Sequence, residues 1–552
     1  MEVSRPQSKT EEKTAHVELT EWGFVALVTL LILVITSLPI LFAYLTAPAD
    51  KQYMGIMLDV PDHVQYFSWM REFSTANLSS NKLTPEPNAP VFFNLLWWAF
   101  GRLDSLLGLG YPVILQLIRV LATVLFLALA YRLCTWFLQE RSARRLAFLL
   151  IAITSGFGWV LIAAKYLFHL TDLASPLDFT ISEGNTFLQI LGYPHFVAAA
   201  LYVFVYDLIL RGEAKNQLRY AVWAGLVAFF LGWQHAYDLV SVYSVLLAYA
   251  GLRWLRDRRI PVYLVKSGLV VGILSFWPAL YSVLLTRLDP IWKQVLGQFS
   301  NAGVFTPGLL HLPILLGIPF LLALFTVVKD GFSSFRRTSN SDLFLKGWFL
   351  VTFLVIYLPV DFQVHLLNGW QIPICILATQ GIYRYILRWL SKKAQHRAVP
   401  SPQLKGWITV VLVAAVLPTN LYLLGQRFVE LNRHETPYYL ERDETAAIHW
   451  LANRPGPSSV VLSSLAIGQY IPALSGQRAF LAHWAQTVDF FHKRDLVKEF
   501  YADDGDFALK LRTLRDFDVR YVFYGSEEQK LGSFRPDGLD ELAPVYRSGQ
   551  VV

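Results

Sequence analysis

Long, mostly apolar runs of about 20 residues are the feature that most constrains how this chain can fold. A helix that crosses the hydrocarbon core of a bilayer needs about 20 mostly apolar residues. Clear examples of such runs are residues 23–43, 121–138, 309–328 and 407–424. Charged residues make up only 16% of the 552 residues, against about 25% in soluble domains. The chain is therefore predicted to be an α-helical polytopic membrane protein.

Eleven transmembrane helices are predicted, and the charges of the connecting loops orient them. Loops rich in Lys and Arg occur at 139–145, 211–219, 253–259, 329–337 and 388–397. With eleven spans these loops all fall on the side of the N-terminus, and basic short loops mark the cytoplasmic side. The spans are predicted at 23–46, 112–137, 146–169, 190–210, 220–236, 238–255, 262–286, 309–328, 346–360, 369–390 and 405–425.

The same reading divides the chain into three parts. Residues 1–22 are polar and are expected to be a disordered, cytoplasmic N-terminus. Residues 23–425 form the predicted transmembrane domain, whose first outer loop is 47–111. The first span is too long for the core of a signal peptide, so we interpret it as a retained anchor. Residues 426–552 are predicted to lie outside the cytoplasm.

The C-terminal part has the pattern of a small α/β soluble domain. Helical spacing occurs at 446–452, and short strands are predicted at 459–464 and 520–525. Strands that alternate with helices favour an α/β layer. The net charge of +7 lies mainly in short segments between apolar runs. That distribution indicates membrane orientation and argues against a nucleic-acid partner.

The first outer loop contains acids and large aromatic rings directly after an apolar span. Its segment GIMLDVPDHVQYFSWMREF covers residues 55–73. Asp62 and Tyr66 are spaced to share one face of a helical turn. With its rings at headgroup level, such a helix would turn Asp62 toward a water-filled cleft above the bilayer. A plain interfacial helix with solvated acids explains the same spacing.

Other polar residues lie at span ends on the same predicted side. Ionisable residues near bilayer depth are costly and suggest functional sites. Each one alone is also explained as a helix cap or a satisfied core pair, so their convergence on one face is the informative part. These residues are Glu183, His195, His235, Asp238 and His365.

Four cations near apolar segments are candidates for contact with phosphate. Arg119 and Lys165 fall inside predicted spans, where either can pair with an acid or meet a lipid phosphate. An internal salt bridge explains Arg119 equally well. Arg287 and Lys293 flank the outer end of the seventh span. They could bind a phosphate or diphosphate headgroup, although snorkelling to the interface explains them too.

Several catalytic motifs are missing from the sequence. It contains no GxxxxGK[ST] phosphate loop, no HExxH zinc pair, no CxxC and no GxSxG elbow. Because the phosphate loop is missing, ATP is not expected as the energy source of this chain alone. Cys134 and Cys375 both fall in apolar spans, so we expect no disulfide between them.

An ordered series of segments resembles bacterial integral-membrane glycosyltransferases of the GT-C fold, with modest specificity in each segment. One departure concerns a basic position: similar sequences tend to carry Arg near "FQ-x-R", where this chain has His365. The segments that carry the resemblance are DVPDHVQYFSWMREF (59–73), LTPEPNAPVFFNLLWWAFGRL (83–103), EGNTFLQILGYPHF (183–196), FQVHLLNGWQIPICILATQGI (362–382), SGQRAFLAHWAQTVDF (475–490) and RYVFYGSEE (520–528).

The resemblance implies transfer of a sugar from a polyprenyl-phosphate donor to a glycan, lipid or protein on the extracytoplasmic face, with inversion. It implies a multi-pass protein of a prokaryotic plasma (inner) membrane. Asp62 would be the general base, with Asp59 as second catalytic candidate. The implied substrate-binding residues are Tyr66, Glu86, Glu183, His195, His235, Asp238, Arg287, Lys293 and His365. The need for a divalent metal is left open, with Asp62, Glu183 and His195 as candidate ligands.

Other functions fit parts of the pattern. A transporter of lipid-linked glycan intermediates should show inverted repeats and broken helices in two halves, and the sequence has no such symmetry. A non-catalytic scaffold would not need acids and histidines gathered at a cleft. A ligase or polymerase that uses a diphosphate-linked donor would carry its large loop late in the chain, whereas here the large loop comes early.

Overall fold

The protein, represented by a computed structural model, is predominantly helical. The structure describes residues 17–170, 176–302, 305–395, 400–454, 458–502 and 506–552. Most of the predicted N-terminal disordered segment, up to residue 16, lies outside the described residues. Helix α1 already begins at Leu19, four residues before the predicted start of the first span.

The first third of the chain places two short helices between long ones. Its elements are α1 (Leu19–Thr46), β1 (Lys51–Tyr53), α2 (Val60–Thr75), α3 (Leu95–Leu107), α4 (Tyr111–Cys134), α5 (Arg141–Ile153) and α6 (Gly158–Leu167).

The middle of the chain contains helices and connecting loops, and no β-strand occurs among its described residues. Its elements are α7 (Thr186–Gly192), α8 (Pro194–Ala199), α9 (Val203–Lys215), α10 (Arg219–Gln234), α11 (Tyr237–Asp257), α12 (Val262–Leu288), α13 (Pro290–Gly297), α14 (Leu312–Asp330), α15 (Asn340–Val355), α16 (Gln371–Gly381), α17 (Leu387–Gln395) and α18 (Pro402–Leu431).

Within the described ranges, seven helical segments are long and apolar enough to cross a membrane. Helices α5 and α6, bent by 53° at a short break, make an eighth if they form one span. Large apolar side chains on these helices face outward, as with Leu247 at 75% and Val328 at 77% exposure. The fold is therefore an α-helical polytopic membrane protein, as predicted. The count of eleven stays a prediction.

Buried charge inside the helices is handled by hydrogen bonds. The guanidinium of Arg119 on α4 donates to Thr36 Oγ1 at 2.7 Å and Ser37 Oγ at 2.6 Å on α1, and to Gln116 Oε1 at 2.7 Å. Neutral oxygens therefore satisfy the Arg119 guanidinium, and these contacts do not form the internal salt bridge that the sequence suggested for it.

Lys165, the other cation predicted inside a span, lies in the last turn of α6.

The C-terminal region builds the predicted α/β layer. Its elements are β2 (Tyr439–Glu441), α19 (Arg442–Ala452), β3 (Val460–Leu462), α20 (Leu465–Gly468), α21 (Tyr470–Ser475), β4 (Arg478–Ala479), α22 (Phe490–Tyr501), α23 (Phe507–Asp516), β5 (Val519–Val522) and α24 (Ser526–Gln529). Strands β4, β3 and β5 form a parallel sheet in that order. The predicted strands at 459–464 and 520–525 correspond to β3 and β5, and the predicted helix at 446–452 lies in α19.

The first outer loop and the C-terminal region pack as one unit. Strand β1 pairs antiparallel with β2, with Gln52 opposite Leu440. Apolar side chains of α2, such as Phe73, share one buried cluster with Ile448 and Ile467 of the C-terminal region. This shared core fixes α2 between the membrane helices and the C-terminal sheet.

Candidate active site

Helix α2 positions the carboxylate that the sequence singled out. Asp59 caps its N-terminus in the left-handed region, with φ of +47°, and proline occupies the first turn. Proline suits that place because its missing N–H would have no helical partner. Asp62 and Tyr66 lie one turn apart on the same face, and the Tyr66 hydroxyl lies 3.4 Å from Asp62 Oδ2. The shared face predicted from the spacing is present.

A histidine from the C-terminal region donates a hydrogen bond to the Asp62 carboxylate. His483 Nδ1 accepts the backbone N–H of Ala485 at 3.0 Å and of Gln486 at 3.3 Å. Because Nδ1 is an acceptor, Nε2 carries the hydrogen and donates to Asp62 Oδ1 at 2.8 Å. His483 is 3% exposed, whereas Asp62 keeps 25% of its side chain exposed. His483 leaves Oδ2 of Asp62 unbonded, and that oxygen lies 3.4 Å from the Tyr66 hydroxyl.

The two carboxyl groups of this segment have opposite pKa shifts. Burial works to raise the pKa of Asp62, but the hydrogen bond from His483 opposes it, and that pKa lies below its usual value. Burial, together with the negative charge of Asp62, raises the pKa of Asp59 well above its ordinary value. Divergent pKa values of neighbouring acids separate their roles. Asp62 is the ionised member of the pair, and Asp59 favours its protonated form.

Tyr66 connects Asp62 to His195, which lies in α8. Its hydroxyl lies 3.1 Å from His195 Nε2, and its ring stacks on Trp97 with centroids 4.3 Å apart. His195 is 7% exposed, and its Nδ1 has no hydrogen-bond partner among the residues that the structure describes. A buried polar atom without a partner suggests a place for water or ligand.

Two further histidines are each held by a carboxylate. His235 Nδ1 lies 2.8 Å from Asp238 Oδ2, and His365 Nδ1 lies 2.5 Å from Glu183 Oε1. The ring of His235 lies 6.4 Å from that of His195 and 6.1 Å from that of His365. Histidines and acids from separate segments of the chain therefore lie close together, as predicted, and the location of these segments on the outer face stays a prediction.

The carboxylate of Glu183 also sets the protonation of its partner. Burial lowers the pKa of His365, but the hydrogen bond and charge of Glu183 outweigh that effect, and the pKa lies above its ordinary value. His365 therefore stays cationic to higher pH than a free histidine does.

Three of the predicted substrate-binding residues lie apart from these pairs. Arg287, at the end of α12, and Lys293, on α13, are both exposed. Neither forms an ion pair with a carboxylate among the described residues. Glu86 bonds Lys493 of α22 at 2.5 Å, and its other oxygen accepts from the Thr84 hydroxyl. Glu86 therefore links the first outer loop to the C-terminal region.

The predicted metal ligands do not assemble into one metal site. Among the residues that the structure describes, no three His, Cys, Asp or Glu side chains are placed to hold one ion. Asp62 and Glu183 each hydrogen-bond a separate histidine. The set of Asp62, Glu183 and His195 therefore does not fit a single divalent cation in this arrangement.

A cavity of about 290 Å³ lies elsewhere, in the C-terminal region. Trp450, Tyr521 and Tyr546 are among its lining residues, and none of the acids and histidines described above lines it. Perturbed titratable groups in a cleft are a stronger sign of chemistry than volume. We therefore place the candidate active site at Asp62 and its neighbours.

His483 is the residue that our sequence reasoning did not single out. It lies 421 positions from Asp62, so no spacing rule for helices or strands could pair the two. The available signal was the segment AHWAQ in the C-terminal region, where a histidine precedes a tryptophan outside any regular element. That segment was noted only as part of the family resemblance.

Sequence comparison gives no relative. No protein-family model matches the sequence, and no curated protein matches it.

Solved structures do match the fold. The oligosaccharyltransferase of Archaeoglobus fulgidus in its apo form superposes with a TM-score of 0.54 at 14% identity, over 90% of this chain and 69% of that one. The archaeal oligosaccharyltransferase AglB from Archaeoglobus fulgidus, in complex with an inhibitory peptide and a dolichol-phosphate, gives 0.56 at 12% identity, over 92% and 70%. The arabinofuranosyltransferase AftD from Mycobacteria gives 0.53 at 14% identity, over 94% and 36%.

These matches extend over nearly the whole of this chain, although identity is low. A shared fold does not by itself define an activity. It does confirm the fold class predicted from the order of segments. This chain has the GT-C fold, the architecture that these membrane glycosyltransferases share.

Proposed function

We propose that this protein is a membrane glycosyltransferase that moves a sugar from a polyprenyl-phosphate donor to an acceptor hydroxyl on the extracytoplasmic face. The observation that carries the proposal is the Asp62 carboxylate, which keeps 25% of its side chain exposed and accepts a hydrogen bond from His483. On the predicted topology this site lies at the outer ends of the membrane helices, and a site at that level suits a donor whose sugar is polar and whose tail stays in lipid.

Asp62 acts as the general base in this proposal. Its Oδ2 takes the proton of the acceptor hydroxyl as that oxygen attacks the anomeric carbon. The bond from the anomeric carbon to the phosphate oxygen breaks, and its electron pair leaves with the phosphate. Attack opposite the leaving group inverts the anomeric configuration. A positioned base contributes roughly 10²–10⁴-fold to such a step.

The leaving phosphate is assigned to His235 and His365. Each ring commits Nδ1 to a carboxylate, so Nε2 remains to donate to an anion when the ring is protonated. Hydrogen bonds between charged partners are about twice as strong as neutral ones. The roles of Arg287, Lys293, Glu86 and Asp59 in substrate binding or catalysis stay predictions.

Two observations support the donor class and the membrane orientation in this proposal. The dolichol-phosphate in the AglB complex supports a lipid-phosphate donor, because that protein has the same fold. The basic loops support a plasma-membrane protein whose N-terminus is cytoplasmic and whose C-terminal domain, 426–552, is extracytoplasmic. A divalent metal is left as an experimental variable.

A donor panel tests the proposal. Purified protein in liposomes is given radiolabelled polyprenyl-phosphate sugars and one polyprenyl-diphosphate sugar, with envelope extract as acceptor, with and without chelator. We expect transfer from a monophosphate donor by the wild type and a loss of 10²-fold or more in Asp62→Asn. Transfer only from the diphosphate donor would refute the donor class, and equal rates in both proteins would refute the base.

A further inference from the structure

The segment that carries His483 also presents an aromatic ring beside the proposed base. Trp484 is only partly buried. Its ring centroid lies 5.0 Å from that of His483, tilted by 31°, and 6.1 Å from that of Phe299. Because His483 in turn donates to Asp62 Oδ1 at 2.8 Å, the indole lies one side chain away from the reacting carboxylate.

The backbone on either side of this ring is held rigidly. Asn301 donates to the carbonyl oxygen of Trp484 at 3.1 Å. Gln298 donates to the carbonyl oxygens of Ala485 at 2.8 Å and Thr487 at 3.0 Å. These bonds come from the turn directly after α13, so two parts of the chain fix the ring. A ring presented in this way loses little entropy when a ligand stacks on it.

An unpaired polar atom lies on the same turn. Gln486 is 3% exposed, and within the described part of the chain its Oε1 has no hydrogen-bond partner. Its backbone N–H donates to His483 Nδ1 at 3.3 Å, which keeps it next to the pair. A buried acceptor without a partner is costly in a finished site and suggests that a ligand donor satisfies it.

We propose that the acceptor is a saccharide, whose sugar ring stacks on Trp484 while a neighbouring hydroxyl donates to Gln486. This inference rests on the proposed function, since it identifies the acceptor of the same reaction.

The chemistry around the ring favours a saccharide over the other acceptor classes. A sugar ring has an apolar C–H face for the indole and hydroxyls for amide oxygens. A lipid acceptor would need a continuous apolar lining and would leave Gln486 Oε1 unpaired, whereas a saccharide brings hydroxyls that donate to such an oxygen. An aromatic surface with a few placed polar groups is typical of small-ligand sites.

The reaction product tests the acceptor class directly. Wild-type protein transfers label from its working donor to envelope extract, and mass-spectrometric linkage analysis identifies the atom to which the sugar is joined. We expect a sugar-to-sugar bond. A bond to a peptide side chain or to a lipid aglycone would overturn the inference and leave the glycosyltransferase intact. No transfer by the wild type would overturn the proposed function as well.

Kinetics of variants test the role of the ring. Loss of aromatic stacking in Trp484→Leu should raise the acceptor KM about tenfold, with the donor KM unchanged. Trp484→Phe, which keeps an aromatic face, should raise it less than about threefold. Trp450→Leu, which changes an aromatic residue remote from Asp62, serves as the control. A fall in kcat with an unchanged acceptor KM would overturn the inference and would assign Trp484 to the support of His483.

Discussion

The hydrogen bond between His483 and Asp62 gives the sharpest prediction about the mechanism. His483→Ala removes the Nε2–H that donates to Asp62 Oδ1 at 2.8 Å. Burial then acts on the pKa of Asp62 without the contact that opposes it, so that pKa must rise. A base works only when it is deprotonated. The acidic limb of the pH–rate profile should therefore move to higher pH.

The size of the shift follows from the strength of the bond. A hydrogen bond to a charged group contributes about 1.5–3 kcal/mol, and one pKa unit corresponds to about 1.36 kcal/mol. His483 is 3% exposed, so water does not replace it fully. We expect the acidic limb to move up by about 1–2 pH units, and kcat/KM below it to fall roughly 10–100-fold.

The assay measures kcat/KM for sugar transfer from pH 5 to 9. His483→Gln keeps an N–H donor and should lie between wild type and His483→Ala. His492→Ala changes an exposed histidine of the same region and serves as the control. An acidic limb that stays in place in His483→Ala would refute the assignment of His483 as the residue that positions and ionises Asp62.

Two further predictions concern the phosphate site and the packing of α2. In Glu183→Gln the pKa of His365 falls, so its protonated form is lost at lower pH. The donor KM should rise roughly tenfold, and the increase of the donor KM with pH should begin at lower pH than in the wild type. A pH profile of the donor KM equal to that of the wild type would contradict this. In Gly101→Ala the new Cβ would lie 2.5 Å from the Met70 carbonyl oxygen, which should destabilise the protein by roughly 1–3 kcal/mol and lower its melting temperature. Gly251→Ala, where a Cβ meets nothing within 4 Å, should melt no lower than wild type.

The parts of this structure that the sequence predicts are those set by short-range rules. Apolar length located the membrane helices, although the helix boundaries alone do not give the count of spans. The spacing of Asp62 and Tyr66 predicted their shared face, because four residues make about one helical turn. Predicted strands at 459–464 and 520–525 were found because β-branched and aromatic residues cluster there.

Partners across the fold were not predictable in the same way. Glu183 and His365 lie 182 positions apart, and their pairing depends on how the outer loops pack. The same is true of Glu86, whose partner Lys493 belongs to the C-terminal region. The sequence predicted that the ionisable residues lie on one face, but it did not predict which residue each of them pairs with. The structure instead joins each to a specific neighbour, and this pairing disperses the predicted metal ligands.

The role of Asp62 as general base is the central claim, and a single-turnover measurement tests it most directly. Protein in excess over labelled donor is mixed with saturating acceptor, and the rate of sugar transfer is followed in wild type, Asp62→Asn and Asp50→Asn. Asp50 is an exposed acid of the same loop and is the matched control. We predict a loss of roughly 10²-fold or more in Asp62→Asn alone. An equal rate in Asp62→Asn and wild type would contradict the account.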